Sequence, residues 1–486
     1  MEAHMKPRLY QSNLMNSLAK ELAKHKRVIC QLITGGGKTF IFSTVISKHL
    51  QKDVFNRVLV LTHRVEIFSQ TVSSIAGVGV TVTELKAGQK TKRIHSEARC
   101  LVAMVETYKR RKVKDFGKFS MIIVDECHRR DFEPILKKYP DCYVIGVTAT
   151  PISSSKKHPL KNVYNSIVTG PSFDDLINQG YLAKPRHYKA DFDDSDLKIR
   201  GGEYTSQSQY ETFNNKIHYD NLVDLWESHA GDKKTIVFNI NQEHTRHVDE
   251  MFKSKNVKST SILSGDKDRF EKIEQFKKGE IQVLNNCEIF TMGFNVPDVE
   301  CIVLNRATQS LPLYLQMIGR GARVTQAKDE FTVLDFGGNI DRHGLANIDR
   351  DWKQIFWNPG KAGENPAPHR ECEECGWLMF ASIRICPGCG DVQPTPEQKE
   401  AERVRGYLEE VGATHIEGAY IEDLSISELY HLEKTGKYKP SFIARVARTR
   451  GEDALAEYAE MKGYSNKWLF YQSKLPKGYN NYRVRI

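Results

Sequence analysis

The sequence predicts an α/β protein: two tandem, doubly wound parallel-sheet domains, then a small four-cysteine ribbon and a mainly helical C-terminal region. Three observations carry this. Short apolar runs alternate with longer segments twice over, a glycine-rich turn follows the first run, and two cysteine pairs lie beyond the second series. The 486 residues correspond to about three domains at roughly 150 residues each. With 40% hydrophobic and 27% charged residues, the chain is neither fibrous nor broadly disordered.

The first series of runs comprises residues 28–30, 58–61, 101–103, 122–124 and 144–145. Runs of this kind, separated by lengths that suit crossover helices, read as strands buried on both faces. After Gly180 and an acidic stretch, the rhythm returns at 235–238, 261–263, 283–284, 302–304 and 332–334. The expected boundaries are 1–190 for the first domain and 191–345 for the second. Glycines and prolines then mark a linker and cysteine cluster at 346–395, and 396–486 form a charged, helix-prone accessory domain.

Lysine and arginine number 71 against 61 acidic residues, a formal charge of +10. That favours a polyanionic partner but is also common among ordinary proteins. Mean hydropathy is −0.50, and no apolar run approaches the ~20 residues of a membrane helix. The N-terminus lacks the apolar core of a secretory signal. The sequence therefore predicts a soluble protein of the cytoplasm, bacterial or phage-infected, with no membrane partner.

Thr34-Gly35-Gly36-Gly37-Lys38-Thr39 follows the first strand and opens a helical stretch. Glycines there let backbone N–H groups surround phosphate oxygens, with Lys38 reaching the β/γ-phosphates and Thr39 the Mg²⁺. The strict pattern wants glycine where this chain has Leu32, and a plain glycine turn is the alternative. Asp125-Glu126-Cys127-His128 directly follows the fourth strand. Asp125 there can hold Mg²⁺ and Glu126 can activate water; an isolated acidic strand end is more often a helix cap. In the second half Arg320 and Arg323 stand three apart, on one face if the segment is helical. An arginine supplied across a cleft accelerates phosphoryl transfer, whereas a solvated basic turn is the bland reading.

Taken together these motifs resemble the superfamily 2 helicases and translocases of the DExH type, over most of residues 8–344. Arg8-Leu9-Tyr10-Gln11 looks like the family's adenine-reading element, Thr62-His63-Arg64 like motif Ia, Val105-Glu106-Thr107 like motif Ib and Thr148-Ala149-Thr150-Pro151 like motif III. Gly180-Tyr181-Leu182 resembles the junction between motor domains. Val237-Phe238-Asn239 is similar to motif IV, residues 291–297 to motif V and 316–323 to motif VI. Motif V usually carries aspartate where this chain has Asn295.

The resemblance implies two RecA-like domains and ATP with Mg²⁺. It implies a catalytic set of Lys38, Asp125, Glu126, His128, Gln316, Arg320 and Arg323. Nucleotide binding falls to Arg8, Gln11, Thr34, Gly35, Gly36, Gly37, Lys38, Thr39, Asp125, Gly293 and Asn295. Nucleic-acid contact falls to Thr62, Arg64, Thr107, Thr148, Thr150 and Thr291. A compact motor with a short tail is similar to phage-encoded recombination and repair helicases, which implies a monomeric motor on single-stranded, forked or junction DNA in preference to RNA. An RNA helicase, the motor of a restriction system and a non-cycling nucleic-acid clamp are the alternatives.

Cys372, Cys375, Cys386 and Cys389 form C-x₂-C-x₁₀-C-x₂-C, with glycine after each pair. Four thiolates so spaced suit one structural Zn²⁺; two disulfides are the competing reading. Residues 461–486 carry lysines, arginines and aromatics with no acid. They fit either nucleic-acid stacking or a packed core with a solvated face.

Overall fold

The computed structural model describes residues 6–63, 65–87, 97–112, 116–153, 158–287, 296–359, 367–394, 424–434 and 439–474. Arg64, Thr291, Gly293 and Asn295 lie outside them. The chain divides into two compact units, residues 1–371 with 376–381, and residues 372–375 with 382–486.

The first unit holds both sheets. Sheet one contains β1 (Arg27–Gln31), β2 (Val58–Thr62), β3 (Thr83–Leu85), β4 (Cys100–Met104), β5 (Met121–Asp125), β6 (Tyr143–Thr148) and β7 (Ser166–Thr169), in the order β3-β4-β2-β5-β6-β1-β7. All its pairings are parallel. Each of the five expected runs is a strand, and β2 and β5 are buried along their full length. Crossover helices cover both faces, as parallel sheets require. Register sets the chemistry: Gln31 pairs with Thr148 and Asp125 with Val147, so the ends of β1, β6 and β5 lie side by side.

Sheet two contains β8 (Lys184–Lys189), then, after a small hairpin of β9 (Ile199–Arg200) and β10 (Glu203–Tyr204), β11 (Thr235–Phe238), β12 (Ser259–Ile262), β13 (Val283–Asn286), β14 (Cys301–Leu304) and β15 (Glu330–Asp335). With β16 (His369–Glu371) and β17 (Leu378–Phe380) the order is β12-β13-β11-β14-β15-β8-β17-β16. The strand β8 was expected within the first domain, yet it runs parallel to β15 over six residue pairs. Its sequence, Lys-Pro-Arg-His-Tyr-Lys, lacks the continuous apolar run that marked the others. It still buries Pro185, His187 and Tyr188. The second sheet likewise extends past residue 345, because β17 pairs antiparallel with β8.

In the second unit, helices Ile426–Lys434, Pro440–Arg450, Glu452–Lys462 and Asn466–Lys474 enclose a core of Leu429, Ile443, Ala447, Leu455 and Tyr458. Trp468 and Leu469 pack against that core, so part of the basic and aromatic tail is structural. Phe470 stays exposed, with the Lys474 ammonium 5.3 Å from its ring centre. Residues 475–486, with Tyr479 and Tyr482, lie outside the described residues. No described helix is long and apolar enough to cross a membrane.

Among the large side chains buried against sheet two, Trp226 is hydrogen-bonded to it as well. Trp226 is 1% exposed and donates from Nε1 to Thr235 Oγ1 at 2.8 Å. Trp226→Ala should cost ~3–5 kcal/mol and lower the urea midpoint of a sheet-two probe; a shift within error would deny this residue its weight in the core.

Candidate active site

The loop from Thr34 to Gly37 leads out of β1 into α1 (Lys38–Lys52). Gly35 and Gly37 take φ of +88° and +86°, a region that costs any residue with a Cβ. The conformation turns the loop back over the helix N-terminus, where unpaired N–H groups suit phosphate. Leu32, the departure from the glycine pattern, is fully buried. A Cβ on Gly36 would lie 2.8 Å from its side chain and one on Gly170 2.6 Å, so Leu32 fills space that two glycines leave. The loop keeps its shape despite the substitution.

Beside the loop, Gln11 Oε1 accepts from the Arg8 N–H at 2.9 Å, and a Cβ on Gly37 would come 2.6 Å from Gln11 Nε2. Tyr10 donates to the Gly36 carbonyl at 2.7 Å, and its ring lies 5.2 Å from that of Tyr181, over which Arg8 sits at 4.4 Å. Arg8, Gln11 and the glycine loop therefore meet as expected. Tyr10 and Tyr181 join them, although only their places inside quoted motifs hinted at it.

Lys38 Nζ is 3.8 Å from Glu126 Oε1. His128 Nδ1 lies 3.3 Å from Glu126 Oε2 and 3.0 Å from Thr148 Oγ1, tying the acid segment to the end of β6. Glu126 has a φ of +51°, in the left-handed region, and its N–H bonds to Asp125 Oδ1 at 3.0 Å. Burial, reinforced by the Glu126 charge, raises the Asp125 carboxyl well above the usual range. Burial also opposes ionisation of Glu126, but Lys38, His128 and Arg320 outweigh it and hold that carboxyl low. A buried carboxyl pair with one member forced up is short of positive charge, which fits a divalent cation. Asp125 and Thr39, the second residue of α1, would hold Mg²⁺, which when bound neutralises charge on phosphate oxygens.

The arginine pair is not helical. The helix α2 (Leu311–Ile318) stops before it, and residues 319–321 form a turn. Two glycines end the helix where the chain must pass close to neighbours: a Cβ on Gly319 would lie 2.6 Å from Thr34, and one on Gly321 2.3 Å from Phe331. Arg320 is buried, and its charge helps to lower Glu126. Arg323 Cγ lies near Gly35, and its backbone bridges Leu182. Gln316 is buried with its amide nitrogen lacking a hydrogen-bond partner among the described residues. Acid, lysine and arginine thus converge from both sheets. A cavity of about 370 Å³ adjoins Thr34, Thr150 and Gly319.

Thr62, Thr107, Thr148 and Thr150, expected at nucleic acid, are all buried. Thr62 points to Met104 sulfur at 3.8 Å, while Thr148 is engaged with His128 and the Thr150 carbonyl. Thr62 and Thr148 face the interior as the last residues of buried parallel strands, whereas Thr107 lies on the short helix Val105–Lys109 and Thr150 just past β6.

The four cysteine sulfurs lie within 4.8 Å of one another, with Cys372–Cys389 and Cys375–Cys386 at 3.6 Å. Zn–S bonds of ~2.3 Å give a tetrahedron with edges of about 3.8 Å, so the set fits Zn²⁺; a disulfide needs ~2.05 Å. Burial opposes ionisation of Cys386, but the Cys389 and Gly388 N–H groups lower its thiol to about 7.

Residues 4–153 match the family described as type III restriction enzyme, res subunit, and residues 217–325 match the helicase conserved C-terminal domain. A 51.5 kDa protein of Lactococcus phage is 28% identical over 77% of this chain and 80% of its own length. The ATP-dependent helicase IRC3 of Saccharomyces cerevisiae is 29% identical over 68% of this chain, which spans 51% of that protein. Among solved structures, a fragment of an HsdR subunit of a type I restriction enzyme from Vibrio vulnificus superposes with a TM-score of 0.55 at 21% identity, covering 71% of this chain and 66% of its own. The type ISP restriction-modification enzyme LlaBIII bound to DNA gives 0.53 at 14%, covering 74% of this chain and 30% of that one.

Three substitutions separate the roles. Lys38→Ala should weaken nucleotide binding by at least ~10-fold. Glu126→Gln should keep binding but lose ~10²–10⁴ in turnover, and Arg323→Ala should lose ~10³ with its melting temperature unchanged. Normal hydrolysis by Glu126→Gln would remove it as the base. The raised Asp125 carboxyl keeps its proton where an ordinary aspartate has lost it. Mg²⁺ must displace that proton, so its affinity for the nucleotide-bound protein should keep rising between about pH 6 and pH 8. An affinity already flat across that range would mean that Asp125 is an ordinary carboxylate.

Proposed function

We propose that this chain, an ATP-dependent helicase of superfamily 2, works on DNA, unwinding or branch-migrating forked and junction substrates in replication, recombination or repair. Hydrolysis depends on groups from two sheets, and the observation that carries the motor reading is the approach of Gly319 to Thr34. Phosphate loop and acids come from sheet one, Gln316 and Arg320 from the segment between β14 and β15. A nucleotide that draws them together, and a product that lets them part, drives relative motion of the two halves.

Nucleic-acid binding draws support from the second unit. The exposed Phe470 beneath Lys474 pairs a stacking surface with positive charge. That pairing suits exposed bases and phosphates at a strand junction. Zinc held by Cys372, Cys375, Cys386 and Cys389 would tie together the two ends of the segment that precedes the second unit's helices in the chain.

A second reading is the motor of a restriction-type complex, favoured by the family match over residues 4–153. It places the nuclease on a partner subunit.

The test is ATP hydrolysis by the zinc-replete protein alone and with single-stranded DNA, duplex, a four-way junction and matched RNAs. We expect the greatest stimulation by junction or forked DNA. Stimulation chiefly by RNA would overturn the DNA assignment, and stable co-purification with nuclease or methyltransferase subunits would favour the second reading.

A further inference from the structure

We propose that Lys328 is a positioning residue for hydrolysis, its buried ammonium tying the arginine turn to the end of motif V and the stretch that leads from it into β14. Lys328 is 6% exposed. Its Nζ donates to the carbonyls of Pro297 at 2.9 Å, Val299 at 2.7 Å and Gly321 at 2.8 Å. An ammonium has three N–H groups, and all three are used.

The partners belong to two separate stretches. Pro297 and Val299 lead into β14, whereas Gly321 lies between Arg320 and Arg323. Lys328 itself closes a tight turn, with mutual backbone bonds to Thr325 at 3.1 and 3.2 Å, just before β15. One point charge thus fixes the carbonyl between the two arginines against the frame of sheet two. Two further restraints act on the same turn. The Phe331 ring occupies the space beside Gly321, and the Ala322 carbonyl accepts from the Ala183 N–H at 2.9 Å. Without the ammonium, three buried carbonyls lose their donor and the turn loses its side-chain tie to the stretch that leads into β14.

Burying a lysine is costly. Desolvation lowers this ammonium to about 8, with Glu300 and Asp298 opposing the fall and Arg323 adding to it. A hydrocarbon side chain would fill the same volume without that cost, so packing alone does not account for a charge here. On the proposed motor reading, on which this inference rests, the arginines act on a transferring phosphoryl group, so misplacing them should lower kcat and leave nucleotide binding alone.

The test compares Lys328→Met, which keeps volume and removes the donors, with Lys328→Arg, which keeps charge and donors. We expect Lys328→Met to lose at least ~10-fold in kcat per bound nucleotide with Kd for ATP unchanged, and Lys328→Arg to recover most of it. If Lys328 merely packs, Met is the better substitute, and a kcat per bound nucleotide within about twofold of wild type in Lys328→Met overturns the proposal. Should Lys328→Met fail to fold, the unmodified protein decides. A kcat falling above about pH 8 at constant Kd supports the tether, and a kcat flat through that range overturns it.

Discussion

Two carboxylates held side by side out of water govern the cleft. Asp125 and Glu126 cannot both ionise there without cations and hydrogen-bonding partners, and the protein brings these from separate parts of the chain. Lys38 stands at the head of α1, His128 is steadied by the end of β6, and Arg320 arrives from beyond α2. Opposite charges at about 4 Å attract by ~4 kcal/mol at an effective dielectric near 20, before desolvation is subtracted. Because one of the cations comes from the other sheet, the ionisation of the acids and the approach of the two halves are coupled.

Backbone geometry makes that approach possible. The halves meet where a side chain is absent, at Gly319 over Thr34. The chain does not cross between sheets on a slack linker. It enters sheet two as β8 beside β15, so the residues just before it share a hydrogen-bonded frame with the arginine turn. Displacement of that turn therefore moves a strand, and the strand carries β17 with it.

Much of this was legible from sequence because buried parallel strands are written as continuous apolar runs, and the phosphate loop, acids and cysteine pairs are local patterns. Edge elements escaped for the opposite reason: β3 is three residues long, and β7 offers only Ile167 and Val168 between polar ends. The arginine spacing suggested a helix face, yet Gly319 and Gly321 serve close contacts with residues distant in the chain, which no local spacing reveals. The same holds for His128 and Thr148, twenty positions apart but adjacent through the register of β5 with β6. The burial of Thr62 and Thr148 follows from sheet depth, which the motif reading, assigning them to nucleic-acid contact, did not address.

The backbone of Glu126 has an evolutionary consequence. At a φ of +51° a glutamate is strained, by an amount on the order of 1–2 kcal/mol, where glycine is at ease and asparagine nearly so. Variants that discard the carboxylate for one of those residues gain folding stability as they lose chemistry. A screen for solubility or thermal tolerance alone would drift toward dead motors at this position. Only selection for work done on a substrate keeps the acid in place.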